Sequence, residues 1–338
     1  MNYKEVYLFL TNQCPNRCEY CYIDYNNTHM TKEDIDKYMA NYNPTRVIFF
    51  GGEPLLELDL IKYTVEKYQH TGCIFQIVTS TRPRDKWKEF LEFYKSHPME
   101  LQISWDGFTD SRIDIHGNSI AEEVRQNIQY ALSKGFTFDI KTVINNYNIK
   151  DLTKIHKLFC RLRKEFNVSG QFVIAHGEDY TEEFYTELEK QFPVLIQTEQ
   201  PYVMILNYLI SYIDDTPIAS CDIGKYITVS PTGKENICTA LSQYQYEIDN
   251  QKSQERCLAP ECKTCKYAVF CDGGCRYERY IKFNEEWMNH HLDCTCRIMK
   301  IIYKAIENYM NTASIEDKRD MLKTIMRYKQ WQYNRYFK

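Results

Sequence analysis

The 338-residue sequence lacks long apolar runs, a strong excess of one charge, internal repeats and low-complexity tracts. No segment approaches the roughly 18 uninterrupted apolar residues of a membrane helix, and residues 1–10 contain no signal-peptide core. A net charge of −4 gives no broad attraction to nucleic acid or to an anionic membrane. We therefore expect a soluble, cytoplasmic protein whose partners include neither nucleic acid nor a membrane.

Cysteine, by contrast, is abundant, with 14 residues. Disulfides commonly explain such richness, but they belong to small secreted chains. Ligation of zinc or of iron–sulfur clusters by thiolates is the better explanation here. Cys73, in a strand, and Cys160, on an amphipathic helix, stand apart from the other cysteines, and we expect both to be buried thiols.

The first two-thirds of the chain alternates short apolar segments with amphipathic ones, which predicts six β-α units. Thr31 with Asp34 marks a helix start, and Gly135 marks a helix end. We predict an α/β fold whose parallel sheet is open or partly closed as a (β/α)6 barrel, with its active site at the carboxyl ends of the strands. The predicted strands are residues 6–10, 46–50, 73–79, 100–104, 137–143 and 171–175.

The pattern changes after about residue 217, where nine cysteines lie between Cys221 and Cys296 with little hydrophobic periodicity. Such a segment can be folded by metal ligation. The end of the chain returns to helix, with Ser314 capping a basic, aromatic stretch. We therefore predict a barrel over 1–216, a cysteine-rich domain over 217–300 and a helical segment over 301–338.

The first candidate site is the loop after strand one, which carries Cys14, Cys18 and Cys21. Three thiolates supply three corners of a four-iron cluster and leave the fourth iron open, as in a catalytic metal site. A structural zinc loop is the alternative.

Sequence context favours the cluster. The cysteine spacing, with Tyr20 before the last cysteine, resembles the radical S-adenosylmethionine (SAM) superfamily, as do Gly51-Gly52-Glu53-Pro54 and Ser104-Trp105-Asp106-Gly107. In that family the open iron binds the amino and carboxylate groups of SAM, whose reductive cleavage gives a 5′-deoxyadenosyl radical.

This resemblance also implies roles for individual residues. The two glycines let backbone approach the ligand, Glu53 pairs with its ammonium, and Ser104 holds its carboxylate or ribose. An arginine that often follows the Ser-x-Asp-Gly segment has its counterpart in Arg112 or His116. The expected SAM-binding residues are Tyr20, Gly51, Gly52, Glu53, Ser104, Asp106, Arg112 and His116.

The second candidate site is the cysteine-rich region. Cys262, Cys265, Cys271 and Cys275 follow one another there at short spacings, with Cys221 and Cys238 upstream and Cys294 and Cys296 downstream. This pattern resembles the SPASM domain of peptide- and protein-modifying enzymes. The resemblance implies two auxiliary [4Fe-4S] clusters, and so three clusters with the catalytic one; a pair of zinc ribbons is the alternative. The first auxiliary cluster would be bound by Cys221, Cys238 and Cys275. The second would be bound by Cys262, Cys265, Cys271 and, from the downstream pair, Cys296 in preference to Cys294.

One ligand of the first auxiliary cluster is left open. Some relatives have a further cysteine between the positions matched by Cys221 and Cys238, whereas this chain has none there. Either Cys257 or Cys294 takes its place, or an open iron binds a cysteine of the substrate.

The resemblance implies an enzyme that abstracts hydrogen from a peptide or protein residue, as in peptide cross-linking, epimerisation or oxidation, with flavodoxin or ferredoxin as reductant. Anaerobic sulfatase maturation is the first alternative, although Thr239 occupies the position of the Asp base of those enzymes. A small-molecule SAM dehydrogenase is the second.

Because strand one begins near residue 6, we expect no fused leader-binding domain, so a separate leader-recognition protein or direct docking would recruit the peptide. The basic segment 314–338 is either a packed helix or a docking surface for an acidic leader.

Overall fold

The computed structural model describes residues 4–175, 177, 179–197, 202–216, 226–241, 258–271 and 273–337. The chain divides into two compact units. The first comprises Met1–Val143, Leu158–Gly170 and Ile223–Asn250, and the second comprises Ile144–Lys157, Gln171–Asp222 and Gln251–Lys338. No helix among the described residues is long and apolar enough to cross a membrane.

Eight strands form one sheet. They are β1 (Glu5–Thr11), β2 (Arg46–Gly51), β3 (Ile74–Thr79), β4 (Glu100–Ser104), β5 (Asp139–Ile144), β6 (Ser169–Ile174), β7 (Tyr226–Val229) and β8 (Glu235–Asn236). Their order across the sheet is β6-β5-β4-β3-β2-β1-β7-β8. The pairs from β1 to β5 are parallel, β7 adds parallel to β1, and β8 pairs antiparallel with β7.

The helices of the described part of the chain follow the strands and then dominate the carboxyl-terminal part. They are α1 (Lys32–Tyr42), α2 (Leu58–Tyr68), α3 (Arg84–Ser96), α4 (Ala121–Ser133), α5 (Leu152–Phe166), α6 (Glu182–Ile196), α7 (Val203–Asp214), α8 (Ala268–Cys271), α9 (Arg276–Phe283), α10 (Asp293–Thr312) and α11 (Ile315–Phe337).

The mixed α/β fold with a parallel sheet is confirmed, and each strand of the predicted set lies within about three residues of its expected bounds. Local signals also hold. Thr31 and Asp34 form a reciprocal capping box, the residue Gly135 after α4 has φ +78°, and Ser314 accepts a hydrogen bond from the amide of Asp317. Helix α7 and strands β7 and β8 lie outside the six predicted β-α units.

The burial of the strands alternates, as expected for a sheet with two different faces. On β3, β4 and β5 one set of side chains, such as Ile77, Ile103 and Ile140, is fully buried. The opposite set is intermediate in exposure and partly polar. We call this second surface the half-exposed face; it carries Gln76, Val78, Gln102, Ser104, Lys141 and Val143.

In the second unit, aromatic side chains pack around Tyr303 of α10. Its ring stacks on Phe270 with centroids 4.7 Å apart and meets Tyr208 of α7 edge-on at 5.9 Å. Its hydroxyl donates a hydrogen bond to Ser211 Oγ at 3.1 Å. A buried tyrosine hydroxyl needs such a partner, so this contact fixes α10 against α7.

One expectation about the isolated cysteines was wrong. Cys73 is buried directly before β3, as expected, but the side chain of Cys160 on α5 is exposed. The reason is its position on the helix: Ile155, Phe159 and Leu162 of α5 are buried and occupy the packed face, while Cys160 lies beside that face. Helical amphipathicity alone did not place this residue correctly.

The end of β2 lies very close to the segment after β1, and a substitution at this contact tests the fold. A Cβ at Gly52 would lie 2.0 Å from the carbonyl oxygen of Gln13, whereas a Cβ at Gly117 would meet nothing within 4 Å. Gly52→Ala should therefore lower the free energy of unfolding by about 3 kcal/mol or more. Gly117→Ala, at φ +82°, should cost only about 1–2 kcal/mol. Urea unfolding followed by fluorescence measures both, and equal losses would contradict the close approach.

Candidate active site

The cysteine loop begins where β1 ends and is held by backbone hydrogen bonds from the end of β2. The amide of Gly52 donates to the carbonyl of Thr11 at 2.8 Å, and that of Glu53 donates to the carbonyl of Gln13 at 2.9 Å. A Cβ at Gly51, which has φ +128°, would lie 2.3 Å from the carbonyl oxygen of Thr11. In this structure the two glycines thus allow β2 to approach the backbone that leads into Cys14.

The segment after β4 holds the cysteine loop from the other side. The amide of Arg17 donates to the carbonyl of Ile113 at 2.7 Å, and the amide of Ile115 donates to that of Pro15 at 3.3 Å. The guanidinium of Arg17 donates to the carbonyl of Cys14 at 2.8 Å. The loop is therefore fixed by both neighbouring strand ends.

A buried charge pair links this segment to the cysteines. Asp106 is 2% exposed, and its carboxylate lies 2.9 Å from Arg112 Nε. Arg112 also donates to Cys18 Sγ, with a nitrogen–sulfur distance of 3.7 Å. The hydroxyl of Tyr20 donates to Asp106, which also accepts from the amide of Val143 at 2.9 Å. Four of the residues that the sequence singled out are thus in contact.

The three thiols of the loop affect one another electrostatically. Burial raises the pKa of Cys14, with further increases from Glu53, Cys18 and Cys21. Burial also raises the pKa of Cys18 to about 11, and the neighbouring Arg112 opposes that increase. Three soft donors on one loop fit the ligand set of an iron–sulfur cluster. Within the described ranges, no group of three or more His, Cys, Asp or Glu side chains is arranged to hold a metal ion.

Glu53 is 1% exposed and accepts four hydrogen bonds. Thr79 Oγ1 and the Leu55 amide donate to Oε1 at 2.6 and 3.1 Å, and the amide and hydroxyl of Ser80 donate to Oε2 at 2.8 and 2.6 Å. Burial raises the pKa of Glu53 although these donors lower it. Because a carboxylate offers about four lone-pair sites, an ammonium could bind here only by displacing a donor.

The remaining candidates of this group occupy different environments. Ser104 ends β4 on the half-exposed face and pairs in register with Lys141 of β5. His116 is exposed in a turn, where its amide donates to Asp114 Oδ1 at 2.8 Å. Of the two candidates for the arginine expected after the Ser-x-Asp-Gly segment, Arg112 is the one whose side chain contacts the cysteine loop.

In the second unit, four cysteines line one cavity together with His291, Thr295 and Lys300. They are Cys262, Cys265, Cys271 and Cys296. Burial raises the pKa of Cys271 to about 11, with further increases from the other three thiols. Burial likewise raises the pKa of Cys262, followed by the effects of Cys296 and Cys265. Four thiols are the donor set of a structural zinc site or of an iron–sulfur cluster.

The other cysteines of the second site have different surroundings. Cys294 Sγ lies 3.9 Å from the hydroxyl of Thr295, and Cys294 contributes to the raised pKa of Tyr185, behind burial. Cys275 precedes α9, and Cys238, in the first unit, donates its amide to Asn236 Oδ1 at 3.1 Å. Cys221 and Cys257 lie outside the described residues.

Sequence reasoning missed two polar residues of the first site, Thr79 and Ser80, which hold the carboxylate of Glu53. Thr79 ends β3 and Ser80 follows it. A polar pair after an apolar strand is the signal that was available in the sequence.

Comparison with known proteins finds a family match over the part of the chain that contains this site. Residues 8–159 match the family model of the Radical SAM superfamily. An uncharacterised protein of Methanocaldococcus jannaschii, MJ0907, is 28% identical over 164 residues. That match covers 46% of this chain and 57% of the relative's length.

Solved structures show the same fold. anSMEcpe, an anaerobic sulfatase maturase determined with bound AdoMet and Cp18Cys peptide, superposes with a TM-score of 0.69 at 19% identity. The superposition covers 91% of this chain and 98% of that one. SuiB of Streptococcus suis, bound to S-adenosylmethionine, gives a TM-score of 0.51 at 14% identity, covering 87% and 75%.

The buried pair of Arg112 and Asp106 yields a test of the site's construction. Arg112→Gln leaves the buried carboxylate of Asp106 without its counter-charge and should lower the free energy of unfolding by about 3 kcal/mol. Arg125→Gln, which breaks an exposed pair with Glu122 on α4, should cost less than about 1 kcal/mol. Chemical denaturation of both variants provides the comparison. A neutral Arg112→Gln would show that the pair does not hold the loop.

Proposed function

We propose that the protein is a radical SAM enzyme that modifies a peptide or protein by abstracting hydrogen from one of its residues. The observation that carries this proposal is the cysteine loop. Three thiols lie on one loop, held by Gly52 and Glu53 on one side and by Arg112 on the other. The radical SAM domain match covers this loop and both of its supports.

The cofactors of the first site would be a [4Fe-4S] cluster and SAM, which together supply a 5′-deoxyadenosyl radical. Cys14, Cys18 and Cys21 would bind the cluster. Glu53 would neutralise the ammonium of SAM, exchanging one of its present donors for it. Asp106 would keep Arg112 in place beside the cluster and so act indirectly.

Two auxiliary clusters in a SPASM arrangement are the second part of the proposal. The shared cavity of Cys262, Cys265, Cys271 and Cys296 supports one of them, because four thiols are the number of donors that a closed cluster needs. It also favours Cys296 over Cys294 as the fourth ligand. The other cluster, with Cys221, Cys238 and Cys275, is proposed from the spacing of the cysteines, and its fourth ligand would be Cys257, Cys294 or the substrate.

A peptide substrate is favoured by two of the structural neighbours, which were solved with the Cp18Cys peptide and with the precursor peptide SuiA. Both share the fold at low sequence identity, 19% and 12%, so the bond that is formed need not be the same. A flavodoxin or ferredoxin would supply the electron, and a separate recognition protein or direct docking would recruit the peptide.

Oxidation of a Cys or Ser side chain in a sulfatase is the second candidate, because the superposition on anSMEcpe covers nearly that whole chain. Thr239 speaks against it. Its hydroxyl forms a hydrogen bond with Tyr22, which lowers the pKa of Tyr22 against the larger increase caused by burial. A neutral hydroxyl pair cannot take a proton as readily as the Asp of the maturases.

Isotope transfer tests the proposed function. The reconstituted enzyme, reduced in the presence of SAM, should release 5′-deoxyadenosine that carries deuterium from a substrate peptide deuterated at its α-carbons and side chains. Short peptides encoded beside the gene and a sulfatase-type Cys peptide are the candidates, and mass spectrometry detects the label. The unlabelled form of each peptide is the control.

The product separates the two candidate functions. A new bond within the peptide, without an aldehyde, supports cross-linking, whereas a hydrazide-reactive aldehyde on the Cys peptide supports sulfatase maturation. If neither class of peptide transfers deuterium while the enzyme still cleaves SAM, the peptide assignment fails.

Iron content tests the auxiliary cluster in the second unit. The reconstituted protein should hold about twelve irons, four for each cluster. Changing Cys262 and Cys296 together to Ala should reduce this to about eight, because the two remaining thiolates cannot hold a four-iron cluster. Cys160→Ala, at an exposed thiol, should retain all of them. Zinc in this site, or full iron content in the double variant, would exclude the assignment.

A further inference from the structure

Helix α11 packs on the second unit along one of its faces. Met321 and Ile325 are buried there, and the hydroxyl of Tyr328 donates a hydrogen bond to Asn207 Oδ1 of α7 at 3.1 Å. Most of the other described side chains of α11 are exposed. The helix is therefore held in place by one face and presents the rest of its surface to solvent.

Three large apolar side chains form an exposed line beside the packed face, which we call the α11 stripe. Ile315 is 79% exposed, Leu322 44% and Met326 71%. Because successive helical residues turn by about 100°, the three point within about 40° of one another and span about 16 Å along the axis. Single exposed apolar residues are ordinary, but a line of three along one helix is typical of a surface on which another helix packs.

A row of exposed cations runs along the edge of the α11 stripe that faces away from the packed side. This basic row consists of Arg319, Lys323 and Arg327, which are four residues apart. Like charges at this spacing destabilise a helix. Lys323 pairs with Asp320 at 2.8 Å, whereas Arg319 and Arg327 form no ion pair within the described part of the chain. The basic row therefore keeps a positive charge beside the apolar line.

The other charges of this helix have local roles. Glu316 and Asp317 lie in the first turn, where acids favour the amino-terminal end of a helix. Lys329, on the packed side of the α11 stripe, pairs with Asp214 of α7. The whole chain carries a net charge of −4, so the basic row does not reflect a generally basic composition. An acidic partner would neutralise it.

We propose that the α11 stripe and the basic row bind an acidic amphipathic helix of the substrate peptide or protein, away from the residue that is modified. This inference rests on the proposed function and gives direct docking of the substrate a location. Apolar side chains of the incoming helix would cover Ile315, Leu322 and Met326. Its carboxylates would pair with Arg319 and Arg327, which gives the contact its charge specificity.

Charge and shape favour this occupant over two others. A second copy of α11 would bring another basic helix against the basic row, which like-charge repulsion opposes. A helix that lies on an anionic membrane buries a wide apolar face. The α11 stripe is only about 40° wide, and the neighbouring face is already packed on the second unit.

Two synthetic helices test the inference on the iron-loaded, full-length chain. Each is a labelled peptide of about three heptads with Leu at positions a and d; one carries Glu at positions e and g, and the other carries Lys there. In fluorescence anisotropy the unaltered protein should bind the Glu helix about tenfold or more tightly than the Lys helix. Changing Arg319 and Arg327 together to Glu should reverse this preference, because the charge beside the α11 stripe changes sign.

Changing Leu322 and Met326 together to Ser should weaken the binding of either helix by about tenfold, since apolar contact is lost. The matched control changes Arg161 and Lys164, exposed cations of α5, together to Glu and should leave the preference for the Glu helix intact. Iron content and thermal unfolding of each variant confirm that it is folded and loaded.

The isotope-transfer assay connects this surface to the substrate. For a peptide that transfers deuterium, the change of Arg319 and Arg327 to Glu should raise KM by about tenfold, more than it lowers kcat. The Glu helix should compete with that peptide.

Equal binding of the two synthetic helices, or an unchanged KM in the charge-reversed variant, would overturn the inference. So would self-association in light scattering, or binding to phosphatidylglycerol vesicles, that is lost in the same variant. If the loaded, unaltered enzyme transfers deuterium from no peptide, the proposed function itself fails. That result is distinct, because the preference between the two helices is measured without turnover.

Discussion

The close approach of two backbone segments determines where the chemistry of the first unit is placed. Gly51 and Gly52 bring the end of β2 within hydrogen-bond distance of Thr11 and Gln13, and a side chain at either glycine would prevent this. The approach directs the chain into the loop of Cys14 and places Glu53 against the end of β3. The three thiols and the buried carboxylate therefore share one origin, the absence of Cβ atoms at two positions.

Buried charge then organises the site around that loop. Asp106 and Arg112 neutralise one another, and the guanidinium also reaches the sulfur of Cys18, so the pair joins the end of β4 to the candidate cluster. Four hydrogen bonds compensate the buried carboxylate of Glu53 for its loss of contact with water.

Much of this could be predicted from the sequence because the signals are local. The hydrophobic period gave the bounds of six strands, and the Thr31–Asp34 capping box and the cysteine spacings required only neighbouring residues. The register between strands is not local, so the contact of Gly52 with Gln13 and the pairing of Ser104 with Lys141 emerged only from the structure. The choice between Arg112 and His116 was open in the sequence for the same reason. The exposure of Cys160 depends on which side of α5 packs, and amphipathicity alone misjudged it.

The assignment of Cys14, Cys18 and Cys21 to a SAM-cleaving cluster is the claim on which the account depends most. Its most direct test is anaerobic reduction of the iron-loaded protein in the presence of SAM, with chromatography of the nucleoside products. The account predicts 5′-deoxyadenosine from the unaltered protein and none from Cys18→Ala that retains its auxiliary iron. Failure of the loaded protein to form 5′-deoxyadenosine, or equal formation by Cys18→Ala, would contradict it.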